Sequence, residues 1–350
     1  MPIERIVVCE AQVPFVTGGA EAHAGELVRE LRDRGYRVER VAIPFKWYPK
    51  EEILAHAAAW RMIDLSESNG QPIDLVIATK FPSYFVRHPN KVTWLIHQFR
   101  SAYDLCGTAY SDFGNAESDV ALRDRLMQLD RRMLAESVRL FANAQNTANR
   151  LEKFNGLHAE PLYHPPRLAR RLAPGPYGDY VLAVGRLEPL KRTELILSAL
   201  PAANPAIRLI VAGDGPQRPH LENMAAELGV RDRVEFRGWV GDDLLIDLYA
   251  GALATVYAPF DEDYGYVTLE SFLARKAVIT TADAGGPLEF VEDAVNGFVC
   301  APRPDALAAA LSRLGADRRL AARLGQAGFE RARTITWDGV IERLLGLAHG

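Results

Sequence analysis

Apolar residues in this chain come in short continuous runs, separated by segments with helical periodicity. Ile6-Val7-Val8-Cys9, Leu75-Val76-Ile77-Ala78, Val92-Thr93-Trp94-Leu95-Ile96 and Leu140-Phe141-Ala142-Asn143 have the length of buried strands, and Val38, Val41 and Ile43 mark another. After the first strand comes a turn at Thr17-Gly18-Gly19, and then AEAHAGELVRELRDRG. That segment puts Ala20, Ala24, Leu27, Val28 and Leu31 on one helical face, and Gly35 is a suitable stop. Residues 115 to 137 read as a charged helix, and another follows Asn143 through Leu151. Continuous apolar strands alternating with helices predict a parallel sheet covered on both faces.

Proline and glycine concentrate from Tyr163-His164-Pro165-Pro166 to Pro174-Gly175-Pro176, which interrupts the alternation. It then restarts with Tyr180–Val184, Arg208–Ala212, Val234–Phe236, Leu253–Tyr257 and Ala277–Thr280 as strands. The expectation is an α/β protein of two Rossmann-like domains, residues 1–165 and 166–335. A length of 350 residues suits two domains.

Composition narrows the function classes. The net charge of −4 carries no electrostatic footprint for nucleic acid. Two basic clusters, Arg32/Arg34/Arg37/Arg40 and Arg167/Arg170/Arg171, read as solvated faces, with peripheral attachment to an anionic membrane as the alternative. No apolar run is long enough to span a bilayer, and MPIERIVVCEAQ lacks the features of a secretory leader. Cys9, Cys106 and Cys300 are far apart and read as free thiols of a reducing compartment. The expected location is cytoplasmic, with the inner face of the membrane as a variant of it.

Candidate chemistry gathers in the second half. Gly185-Arg186-Leu187-Glu188-Pro189-Leu190-Lys191 follows a predicted strand and precedes a helix. Cations are unfavourable at a helix start unless an anion is bound there. Arg186 offers a fork and Lys191 a point charge, and both suit a diphosphate. Gly213-Asp214-Gly215-Pro216 ends another strand and would let backbone approach a ligand closely. Val234-Glu235-Phe236-Arg237-Gly238-Trp239 supplies a strand and turn whose backbone edge suits a nucleobase, with Trp239 read as core or partly buried surface. APFDEDYGYVTLE follows the apolar run Leu253–Tyr257 and sets Glu262 and Glu270 at E-x7-E spacing around a glycine turn and a helix start. In the first half, His97 ends a strand and opens the polar loop HQFRSAYDLCG.

In order, G-G-A-E, the His97 strand end, G-R-L-x-x-x-K, G-D-G-P, V-x-F-x-G and E-x7-E resemble family 4 of the retaining glycosyltransferases, which have the GT-B fold. The resemblance spans nearly the whole chain. It implies two Rossmann-like domains facing a cleft, and a terminal segment, 336–350, packing back on the first domain. It implies a nucleotide-sugar donor and a glycan or glycolipid acceptor, in the synthesis of a surface polysaccharide or lipopolysaccharide, with no metal or other cofactor. On matching positions, Arg186 and Lys191 would hold the diphosphate and Glu270 the ribose. Glu262 would bind the donor sugar, helped by the backbone of Asp263, Tyr264 and Gly265. Gly213 and Gly238 would line the nucleotide, Gly19 would offer its N–H to phosphate, and His97 would lie near the reacting sugar.

The chain departs from the family pattern in places. Tyr264 stands for Phe, Gln145 for Ser, and Arg275-Lys276-Ala277-Val278 for a small-Gly-x-Pro-Val segment. Rival readings are a metal-dependent GT-A transferase using Asp261-Glu262-Asp263 as a D-x-D, and a catalytically silent nucleotide-sugar-binding subunit. A NAD-dependent enzyme is disfavoured, because no G-x-G-x-x-G follows the first strand.

Overall fold

The computed structural model describes residues 3–15 and 18–346. Thr17 of the glycine turn and Leu347 therefore lie outside the described residues. The chain divides into one unit running to His164 and resuming at Trp337, and a second from Pro165 to Thr336.

The first unit contains β1 (Arg5–Gln12), α1 (Gly19–Asp33), β2 (Arg37–Pro44), α2 (Glu52–Met62) and a small hairpin, β3 (Glu67–Ser68) with β4 (Gln71–Pro72). It continues with β5 (Leu75–Ala78), β6 (Lys91–Leu95), α3 (Glu117–Ala135), β7 (Arg139–Ala142), α4 (Gln145–Asn155) and β8 (Glu160–Pro161). Its main sheet is parallel, in the order β2-β1-β5-β6-β7-β8. All four residues of β5 and all five of β6 are buried, as continuous apolar strands require when both sheet faces are covered.

The second unit contains β9 (Tyr180–Val184), α5 (Thr193–Ala199), β10 (Arg208–Ala212), α6 (Arg218–Glu227), β11 (Val234–Gly238), α7 (Asp242–Gly251) and β12 (Ala254–Val256). Then come α8 (Tyr266–Leu273), β13 (Ala277–Thr281), β14 (Gly297–Cys300), α9 (Pro304–Ala316) and α10 (Arg318–Ala332). The parallel order is β11-β10-β9-β12-β13-β14. The chain adds strands to one side of β9 and then returns to its other side, so the topological switch point lies between β9 and β12. The equivalent point in the first sheet lies between β1 and β5. Ligands of open α/β sheets bind outside the carboxyl ends of strands at such points.

α11 (Trp337–Leu345) belongs to the first unit. It buries Val340, Ile341 and Leu344 in a cluster with Ile6, Val8 and Leu31. Arg343 fastens it through a 2.6 Å bond to Glu160.

Several sequence expectations need correction. Trp239 is 80% exposed rather than core, because Gly238 turns the chain with φ +67 at the end of β11. The basic clusters stay partly solvated, as read from the sequence, and also pair within the fold. Arg167 bonds Asp242, Arg171 pairs with Asp242 and Asp243, Arg40 with Glu10, and Arg34 with Glu30. The departure at Arg275 is accommodated locally. Arg275 adopts φ +56 where the pattern has glycine, and the buried Lys276 caps the carbonyls of Gly175 at 2.9 Å and Pro176 at 3.1 Å. Among the described residues, no helix is long and apolar enough to cross a membrane.

Candidate functional site

The loops at the β9/β12 switch point are built by backbone contact. Gly185 (φ +146) and Gly213 (φ +145) end adjacent strands, and Gly185 N–H donates to Ala212 O at 3.1 Å. A Cβ on Gly213 would lie 1.9 Å from Gly185 O, so the close approach that demands glycine there is that of another strand end. Gly213 N–H also donates to Gly238 O at 2.7 Å, which joins the loops after β10 and β11. Gly215 passes the backbone of Leu187 with the same lack of room.

After Gly185 the chain makes a 3₁₀ turn at Pro189–Lys191 and bends at Arg192 (φ +49) into α5. Lys191 pairs with Glu262, and the same Glu262 oxygen accepts from the Tyr257 hydroxyl at 2.8 Å. Lys191 Nζ stands 3.5 Å from that hydroxyl. Burial, and then the Glu262 charge, push the Tyr257 phenol well above its ordinary range, so it remains a donor. Arg186 is about half exposed and pairs with Glu188 at 2.7 Å. Gly185, Arg186, Lys191, Thr193 and Tyr257 line a shallow depression partly open to solvent.

Glu262 is held by its backbone and does not cap α8, which begins at Tyr266. Its N–H donates to Ala284 O at 2.8 Å, and Gly286 N–H donates to Glu262 O at 2.7 Å. Gly265 (φ +84) turns the chain into α8, and a Cβ there would meet the Pro287 ring at 2.8 Å. Tyr264 is buried edge-on against Tyr266 and Phe290, with centroids 5.1 and 5.5 Å away. Glu270, just over one turn into α8, accepts from Tyr249 at 2.8 Å, and burial pushes its carboxyl above the usual range.

Sequence reasoning passed over Arg192. Its guanidinium donates to Ala258 O at 2.9 Å, Pro259 O at 2.7 Å, Thr281 Oγ1 at 2.8 Å and both Asp283 oxygens at 2.7 Å. That fork clamps the loop carrying Glu262 to the one after β13. The signal was a third cation directly after Lys191, but its partners are remote in sequence.

His97 and Gly19 belong to the first unit. His97 follows β6, and its Nδ1 lies 2.7 Å from Gln98 O. A carbonyl only accepts, so Nδ1 carries the proton in this contact. Gly19 opens α1, whose N-terminus is tied by Gly18 N–H donating to Glu21 at 2.9 Å. Lys80 donates to the other Glu21 oxygen at 2.6 Å. Asp104, in the loop after His97, pairs with Arg100 at 2.5 Å and Arg150 at 3.2 Å. Among the described residues, no three His, Cys, Asp or Glu side chains are grouped to hold a metal ion.

Residues 171–331 match the family Glycosyl transferases group 1. The D-inositol 3-phosphate glycosyltransferase of Thermomonospora curvata is 35% identical over 196 residues, covering 52% of this chain and 45% of that protein. The shared segment thus spans under half of that relative's length. The enzyme of the same name from Acidothermus cellulolyticus is 27% identical over 94% of this chain and 85% of its own. A solved structure of Anabaena HepE in complex with UDP and glucose superposes with TM-score 0.72 at 18% identity, covering 98% of both chains. The chain has the GT-B fold, and its second parallel sheet removes the architectural basis of the GT-A reading. The sequence matches support a glycosyltransferase.

Proposed function

We propose that this protein is a retaining, family 4 hexosyltransferase. It would move a sugar from a nucleoside-diphosphate sugar to a glycan or glycolipid acceptor, in surface polysaccharide or lipopolysaccharide synthesis at the cytoplasmic side. The observation that carries the reading is the Lys191–Glu262–Tyr257 cluster beside Arg186, on a depression at the β9/β12 switch point.

In this mechanism the donor diphosphate lies against Lys191 and Arg186, and Glu270 takes the ribose hydroxyls. Gly213 and Gly238 shape the nucleotide end, and Gly19 offers an N–H to phosphate. Glu262, with the backbone of Asp263 to Gly265, orients the sugar. The bond between the anomeric carbon and the diphosphate oxygen breaks, and the acceptor oxygen bonds the same face of that carbon. The departing phosphate oxygen receives the acceptor proton. Preorganised cations stabilise the developing charge, and removing one such partner costs about 3–4 kcal/mol. With two cations in that position, no metal is required for the leaving group.

The deciding experiment is a turnover screen against UDP-, GDP- and ADP-sugars, with and without chelator, followed by the anomeric configuration of the product. HepE binds UDP and glucose, which makes UDP-glucose the first donor to test. Chelator-resistant transfer with retained configuration is the expected result. An inverted product, or activity lost to chelator and restored by manganese, would overturn the mechanism. Donor binding with neither transfer nor donor hydrolysis would mean a silent binding subunit.

A further inference from the structure

A line of buried polar side chains runs from the residue after His97 into the core of the first unit. Gln98 Nε2 donates to Asn155 Oδ1 at 3.2 Å, and Asn155 Nδ2 donates to the Tyr103 hydroxyl at 3.3 Å. Tyr103 donates in turn to Asp130 Oδ2 at 2.5 Å. Gln98 and Asp130 are fully buried, and Tyr103 and Asn155 are 2 and 3% exposed. Three elements contribute: the loop after β6, the last residue of α4, and the middle of α3.

All three donors face the same way, and the line ends on a carboxylate. That carboxylate accepts from Tyr103, which leaves the phenol oxygen to accept from Asn155. That bond and a second from Asn155 Nδ2 to Met127 O at 3.3 Å orient the amide, and its oxygen is turned toward Gln98. Gln98 is consequently held at its side chain, while its own carbonyl selects the proton position of His97 at 2.7 Å. Buried polar groups cost free energy even when bonded, and apolar side chains of similar shape would secure a loop about as well. Retaining four of them specifies geometry.

We propose that Asp130, Tyr103 and Asn155 form a positioning relay that orients His97 through Gln98 and keeps its proton on Nδ1. This rests on the reading that His97 serves sugar transfer. None of the three touches the reacting atoms.

The test is a double-mutant cycle with Tyr103→Phe and His97→Ala on the full chain, with UDP-glucose or whichever donor the screen identifies. Tyr103→Phe should lower kcat by about tenfold, the scale of partners that orient a functional group, with donor KM unchanged. In the His97→Ala background it should have no further effect. Nitrogen NMR of His97 should show an Nδ1–H ring in the wild type and a mixture of tautomers in Tyr103→Phe. Asp130→Asn, which keeps an acceptor, should restore most of the rate lost in Asp130→Leu. Gln98→Met severs the first link and carries the test if Tyr103→Phe does not fold. Additive losses, or an unchanged His97 tautomer, would overturn the relay. Full activity of His97→Ala would instead refute the role of His97 itself, so the two failures are distinguishable.

Discussion

Lys191 and Glu262, 71 positions apart, form an ion pair at the carboxyl ends of β9 and β12, and Tyr257 donates to the same carboxylate oxygen. Lys191 therefore has a partner before any donor arrives, and a diphosphate must compete with Glu262 for it. Lys191→Ala should lower turnover by roughly two to three orders of magnitude, the effect of removing one preorganised charge partner. Its melting temperature should change little, because partly exposed ion pairs contribute about 0–1 kcal/mol. Steady-state kinetics beside a thermal melt checks both, and near-normal turnover would remove Lys191 from the mechanism.

Glu262→Gln frees Lys191 from its competitor. The nucleoside diphosphate should bind this variant at least as tightly as wild type, while sugar transfer falls. Calorimetry with the free diphosphate and a transfer assay separate the two effects.

Glu270→Gln should do the opposite, since Glu270 is assigned to the ribose and is held by Tyr249 at 2.8 Å. Nucleotide affinity should drop by about tenfold, the weight of one hydrogen bond to a charged group. Equal losses of affinity in Glu262→Gln and Glu270→Gln would refute the division of roles.

The glycines differ in what they tolerate. At Gly213 an added Cβ lies 1.9 Å from Gly185 O, whereas at Gly35 (φ +88) nothing lies within 4 Å. Gly35→Ala should cost about 1–2 kcal/mol, for the backbone conformation alone. Gly213→Ala should cost more and should displace the Gly185–Lys191 loop, lowering donor affinity as well. Chemical denaturation with nucleotide titration tests the pair.

Burial pushes the Asp130 carboxyl up from 3.8 to about 7. Between pH 4 and 7 the folded state then holds a proton that the unfolded state has released, so this group's contribution falls as pH rises through that window. The change approaches about 4 kcal/mol at 1.36 kcal/mol per unit. Asp130→Asn lacks the titration, so its stability relative to wild type should climb from pH 4 to 7 and then level off. His23 acts in the other direction. Burial pushes it down from 6.5 to about 3, and its contribution, complete above pH 6.5, is lost as the solution is acidified. Comparing Asp130→Asn with wild type cancels the histidine contribution. A flat difference across that window would show that Asp130 is ionised throughout.

Strand identity and bounds were legible where burial on both faces leaves an unbroken apolar run. β5, β9 and β10 have the bounds their runs predict. The Rossmann-like repetition and the position of the prolines followed from the same pattern. α2 was not legible, because the stretch EILAHAAAWRM buries only Ile53, Ala57 and Trp60 and carries a weak amphipathic signal. The residue types for chemistry were also readable, since a cation pair after a strand and two carboxylates around a glycine turn are local patterns.

What tertiary structure alone decided is who meets whom. Nothing in the spacing says that Lys191 pairs with Glu262, that Gly213 makes room for Gly185, or that Arg192 clamps Ala258, Pro259 and Asp283. Each of those contacts joins segments that strand order brings side by side, and strand order is set by sheet pairing between remote runs. The relay from Gln98 to Asp130 is of the same kind, its members spread over two helices and a loop. Local sequence determines periodicity and therefore elements. Long-range contacts form only when those elements pack, and they position the functional groups.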